Sequence, residues 1–424
     1  MTHTVLHDLR RAARLAICGA TLLCVASSAL AEAPLPRPRP SIADTFASSC
    51  TAPDPELAYA ALPRSLREVR LRRMIGQLLV VSYSGTRPTD AGVLAARDAI
   101  AEGRIGGVLT FRHNIGSAAD IAAVNASFAQ ASEELLPMIA VDQEGGVVMR
   151  VKPSEGAPAT PSAAEVAATS PREAAATYAA MATRLAELGF TANFGPVVDL
   201  AVNPDNPVIA GYRRSYGNAP AVVADYARAF VAAHRSSGVG TALKHFPGHG
   251  SSTDDSHDRA IDLTPTWRRA EMAPFRTLIA TGEADMVMAG HLTLDGITGP
   301  DGLPASLSPQ AIDGFLRETL CFGGVVVSDD LAMNAVSSRW DAATAVRMMI
   351  EAGGDVALLS LPSGQGLSTV DAIIDDLAER AAASRAFADR IRHAYARVAH
   401  HKLDLAETPA PAVGTREAQA SLAR

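Results

Sequence analysis

"SPREAAATYAAMATRLAELGFTANFGPVVDL", Ser170 to Leu200, sets a helix directly against a buried strand. Ser170 and Glu173 have the spacing of a capping box, and Pro171 occupies the first helical position. Gly189 closes the helical pattern. The run 191–200 that follows is apolar without clean alternation, as a strand covered on both faces should be.

Working outward, the same unit recurs. Candidate strands lie at 77–83, 106–111, 137–143, 191–200, 240–246, 284–292, 323–330 and 355–361, most of them separated by helical patterns. Eight βα units in about 340 residues predict an α/β fold, a (β/α)8 TIM-like barrel in a single catalytic domain. A doubly wound open sheet is the rival, but no strand–GxGxxG–helix fingerprint favours it. Polar residues gather where the runs end: Asp142, Asp199, Lys244 with His245, His291, and Asp329 with Asp330. In a barrel these ends form one rim, where catalytic groups from different strands converge. Helix N-caps explain one or two of them, not the set.

The 424 residues, 48% hydrophobic and 20% charged, describe a globular chain. A net charge of −7 argues against a general nucleic-acid or anionic-membrane binder. Residues 1–31 read as a signal peptide: Arg10, Arg11 and Arg14 precede a short apolar run that ends in Ala29-Leu30-Ala31. With Asp8 this segment carries +2, so its removal takes the chain to −9. The protein is expected to be exported, periplasmic or secreted, without stable membrane insertion; a retained anchor is the alternative. Residues 32–57 read as a proline-rich tether, 58–402 as the barrel and 403–424 as a flexible tail. Cys18 and Cys24 leave with the signal, and Cys50 and Cys321 either pair or stay as thiols.

The densest chemistry is "KHFPGHGSSTDDSHD", Lys244 to Asp258. His245, His249 and His257 do not have a standard zinc spacing, and Gly248 and Gly250 break any helix that would align the first two. No metal or organic cofactor is expected. Sugar acetal chemistry fits better, because it needs a carboxylate on one face of the ring and a proton donor at the leaving oxygen. A strand-end aspartate suits the first role. Asp255-Ser256-His257 suits the second, since a carboxylate can orient an imidazole and favour its charged form.

Taken together, "VDQEGG", "NFGPVVDLAVNPDNPVI", "RRSYG", "KHFPGHG", "DSH", "PASLS" and "VVVSDDLAM" resemble glycoside hydrolase family 3, over about residues 70 to 400. More narrowly, the motifs resemble those of its single-domain β-N-acetylglucosaminidases. The resemblance implies that Asp329 is the nucleophile, His257 the general acid/base and Asp255 its orienting partner. It implies sugar-binding roles for Asp142, Arg150, Arg214, Lys244 and His245. Val147 stands where the family usually has arginine, Met149 where glutamine is common, and the longer "VIAGYRRSYG" leaves Arg213 as an alternative to Arg214. No second α/β domain fits before the chain ends, so the acid must come from the barrel's own loops.

The expected activity is removal of terminal β-N-acetylglucosamine, with retention, from peptidoglycan fragments or related glycans by a monomeric enzyme. β-Glucosidase-like specificity, a non-catalytic carbohydrate-binding barrel and a metal-dependent hydrolase are the alternatives.

Overall fold

A computed structural model describes residues 53–256, 259–361 and 366–408. The eight expected runs supply eight parallel strands: β1 (Leu79–Ser82), β2 (Gly107–Thr110), β3 (Met138–Val141), β4 (Ala192–Asn193), β5 (Gly240–Phe246), β6 (Met286–Ala289), β7 (Val325–Ser328) and β8 (Ala357–Leu359). Each pairs with its sequence neighbours, and β1 pairs with β8 at Leu79↔Ala357. The ring closes between β7 and β8, where Val327 bridges Val356 and the Ser328 N–H donates to the Val356 carbonyl at 2.9 Å. That closure excludes the open sheet.

The strands are buried throughout, apart from the half-buried end of β1 at Ser82, and rich in Val, Ile, Leu and Ala. Side chains on both of their faces need cover: one face fills the barrel and the other receives helices. The helix Pro171–Glu187 forms as its sequence dictates, with the Ser170 hydroxyl accepting from Glu173 N and Glu173 Oε2 accepting from Ser170 N at 2.8 Å. Its inner face buries Tyr178, Met181 and Leu185.

The fourth strand is much shorter than the ten-residue run predicted. Pro196 has no N–H to donate, so the ladder stops at Asn193 and resumes as an isolated bridge between Val197 and Lys244. This irregular stretch carries Asp199 to the rim.

Both outer boundaries move. Asp54 caps the helix Pro55–Ala61, and Glu56 pairs with Arg392 at 2.8 Å, so the end of the expected tether belongs to the folded domain. The expected tail from 403 begins inside the helix Arg385–Glu407, whose half-buried Leu403 and Leu405 still pack on the barrel's base. The signal segment, the rest of the tether and the tail beyond 408 lie outside the described residues. Cys321 is disulfide-bonded, and the chain's other cysteines all fall outside those residues. Among the described residues no helix is long and apolar enough to cross a membrane.

Candidate active site

The strand ends do converge. Asp142, Arg150, Arg214, Lys244, His245, Asp255 and Asp329 all line one cavity of about 520 Å³ at the C-terminal rim. Its chemistry is set by a buried charge network along one wall. Lys244, at the end of β5, donates to Asp142 Oδ1 at 2.8 Å and sits 2.7 Å from Glu144 Oε1. Arg214 grips Glu144 with two parallel bonds, Nε to Oε2 and Nη2 to Oε1, both 2.8 Å. A planar guanidinium matches a carboxylate in this way, so the pair holds both side chains in fixed orientation.

Burial alone would push the Glu144 carboxyl up, but Arg214 and Lys244 outweigh it and hold it well below the usual range. Burial would likewise lower Lys244; Asp142 and Glu144 more than offset that and keep it cationic. Arg150 reaches Asp142 Oδ2 at 3.4 Å from the loop after β3. The wall therefore presents charged donors and carboxylates that are already neutralised, suited to several hydroxyl groups of a neutral ligand.

A second network fixes His245. Asp199, fully buried, accepts from His245 Nδ1 at 2.7 Å and from the backbone N–H of His249 at 2.8 Å. Burial raises that carboxyl, yet the His245 imidazole beside it, with help from His249, brings it below its ordinary value. With Nδ1 committed to Asp199, Nε2 of His245 is turned towards Arg214, 3.4 Å away. Among the described residues, no group of three or more His, Cys, Asp and Glu side chains could hold a metal ion.

The two expected reacting groups belong to the segments that follow β7 and β5, at the same C-terminal rim. Asp329 follows β7 directly; its N–H donates to the Ala289 carbonyl and its Oδ1 accepts from Asp330 N at 2.9 Å. Asp330 does different work. Its Oδ1 accepts from Ala332 N at 3.0 Å and Ser360 N at 2.9 Å, tying the turn after β7 to the end of β8. Of the loop acids, Asp255 lines the cavity, whereas Asp254 pairs with Arg259 and does not. His257, the expected proton donor, lies outside the described residues.

The arginine ambiguity resolves as well. Arg213 points outward to Glu165 at 3.0 Å, and Arg214 faces the cavity. His291 stands behind the site, bonded to Ser306 Oγ and to the Asp330 carbonyl. The sequence reading missed Glu144, the hub of the charged wall, although "VDQEGG" contained the signal: a carboxylate placed before two glycines. It also left Asp199 without a role.

The sequence profile of the glycosyl hydrolase family 3 N-terminal domain matches residues 70–400. Over 302 residues the chain is 37% identical to the beta-hexosaminidase LpqI of Mycobacterium tuberculosis, covering 68% of this chain and 72% of that protein. A beta-N-acetylhexosaminidase from Beutenbergia cavernae superposes with a TM-score of 0.70 at 30% identity, over 78% of this chain and 98% of that one. A family 3 beta-N-acetylglucosaminidase from Paenibacillus also gives 0.70, at 32% identity; the match covers 81% of this chain and 64% of that longer one.

Proposed function

We propose that this chain, which belongs to glycosyl hydrolase family 3, is a retaining β-N-acetylhexosaminidase that releases non-reducing terminal β-N-acetylglucosamine. The relatives that carry that activity in their names match most of the barrel. The observation that carries the reading onto this chain's residues is the convergence of Asp329 and Asp255 with the cation–carboxylate wall in one cavity.

In this reading the wall orients the sugar ring. Charge-assisted bonds from Arg150, Arg214 and Lys244, hydrogen bonding by His245 and acceptance by Asp142 select its hydroxyls and hold C1 over Asp329. Asp329 attacks C1 as His257 protonates the departing oxygen, giving a covalent glycosyl-enzyme. His257 then takes a proton from water, which displaces Asp329 and restores the β configuration. Asp255 orients the imidazole and favours its charged form while the leaving oxygen is protonated.

The substrate class is N-acetylglucosamine-terminated oligosaccharide, with muropeptides of the cell wall as the natural candidates. The signal-like residues 1–31 support action outside the cytoplasm. The test is release of p-nitrophenol from its β-N-acetylglucosaminide beside the β-glucoside, each with and without excess EDTA. Turnover selective for the acetamido sugar and indifferent to EDTA is expected. Preference for the glucoside, or loss with EDTA, would overturn the substrate or the metal-free chemistry respectively.

A further inference from the structure

His249 is buried on the glycine loop between β5 and the expected acid/base, and the mechanism above gives it no task. Its backbone is locked on both sides: its N–H donates to Asp199, and its carbonyl accepts from Asn206 Nδ2 at 2.8 Å. Gly250, next to it, packs so closely on the Leu200 carbonyl that a Cβ there would overlap it. The backbone that carries the imidazole is therefore fixed.

From this fixed base, Nε2 reaches the Ser256 hydroxyl at 3.2 Å. Ser256 is itself buried, and it stands between the orienting Asp255 and His257 in the chain. Burial, reinforced by the neighbouring His245, lowers the His249 imidazole to about 4, so it is neutral at ordinary pH and can take either role in that bond. A second tie flanks the same short stretch, where Arg259 pairs with Asp254.

We infer that His249 is a positioning residue, whose bond to Ser256 latches the loop bearing Asp255 and His257 to the rigid Asp199–Asn206 scaffold beneath it. Nucleophile and sugar-binding groups stand on strand ends or are held by the charged wall, whereas Asp255 and Ser256, which precede the expected proton donor in the chain, lie outside any helix or strand. A proton donor must sit within hydrogen-bond reach of the departing oxygen, and a small displacement costs more than the latch bond itself. His249 acts through Ser256 and not on substrate. The inference rests on the glycosidase reading and deepens it.

The distinguishing measurement is the dependence of kcat/KM on the leaving group, because kcat/KM reports the first bond cleavage and a poor leaving group needs the acid most. Wild type, Ser256→Ala, His249→Ala and His249→Gln would be assayed on N,N′-diacetylchitobiose and on 2,4-dinitrophenyl β-N-acetylglucosaminide. The two alanine variants are expected to lose roughly ten- to a hundredfold on the disaccharide and less than about threefold on the activated aryl glycoside. His249→Gln, whose amide nitrogen can replace Nε2, should recover part of the loss on the disaccharide. Equal losses on both substrates would show a merely structural role and overturn the inference, as would unchanged activity on both. A wild type that hydrolyses neither substrate would instead overturn the glycosidase reading beneath it.

Discussion

The two ends of this barrel hold cavities of nearly equal volume, about 520 Å³ at the C-terminal rim and about 510 Å³ at the N-terminal base. Both are bordered by charged side chains. At the base, Asp355 is fully buried and saturated: Arg317 Nη2 lies at 2.6 Å, Val326 N at 2.7 Å and Arg397 Nε at 2.8 Å. Its partners bolt β7 and β8 to the wide-turned helix Gln310–Thr319 and to the final helix, Arg385–Glu407. The arginines of this clamp line the base cavity from helices; at the rim the charges also pair and line a cavity, but there they come from the ends of several different strands and the loops that follow them. Cavity size and buried charge are common to both ends. What separates a candidate site from a structural clamp is which elements supply the groups: strand ends that converge on one rim, or helices packed against the base.

The largest expected effect tests the rim alone. Asp329→Ala should lower turnover of the aryl N-acetylglucosaminide by at least about 10⁴-fold with folding intact by circular dichroism. Near-normal turnover in that variant would end the nucleophile assignment.

The next pair sets the two ends against each other. Lys244→Met removes the cation shared by Asp142 and Glu144, and should lower kcat/KM roughly a hundredfold as the wall loses its orientation. Arg397→Ala removes one partner of buried Asp355, and should cost about 3 kcal/mol in urea denaturation while leaving kcat/KM within about twofold. If the base variant also lost activity at temperatures where it is folded, the division between site and clamp would fail.

A smaller effect is expected from Asp330→Ala. It frees two backbone N–H groups at the β7–β8 junction, so a loss of about 1–2 kcal/mol should accompany a modest fall in kcat.

The smallest concerns Glu271, buried under the glycine loop and accepting from Ser251 N at 3.1 Å and Arg268 N at 3.0 Å. Burial lifts this carboxyl to about 7 despite the pull of those bonds, against an ordinary value of 4.5. The folded chain therefore keeps a proton that the unfolded chain releases. Its contribution to stability is fully present below the unfolded value and is lost as pH rises towards about 7. Glu271→Gln cannot titrate, so the melting temperature of the wild type should fall relative to the variant between about pH 5 and about pH 8. A constant difference would locate the buried proton elsewhere.

Most of the architecture was legible in the chain. Apolar runs of strand length, unbroken by alternation, alternated with capped helical patterns, and that local chemistry dictates a parallel barrel. Where the reading slipped, a competing local rule was at work. Pro196 cut the fourth ladder short, and Asp54 with Pro55 started a helix inside a stretch read as tether.

The site divides in the same manner. Asp142, Lys244, His245, Asp255 and Asp329 could be named from their motifs and their places at strand ends, because the βα repeat itself sends those ends to one rim. Which of Arg213 and Arg214 faces the cavity, and how Glu144 and Asp199 are held, were decided only by tertiary structure. Adjacent arginines are indistinguishable along the chain. They become different when backbone direction turns one into the cavity and the other to a partner such as Glu165. A carboxylate's role depends on which cations, tens to a hundred residues away in the chain, fold against it.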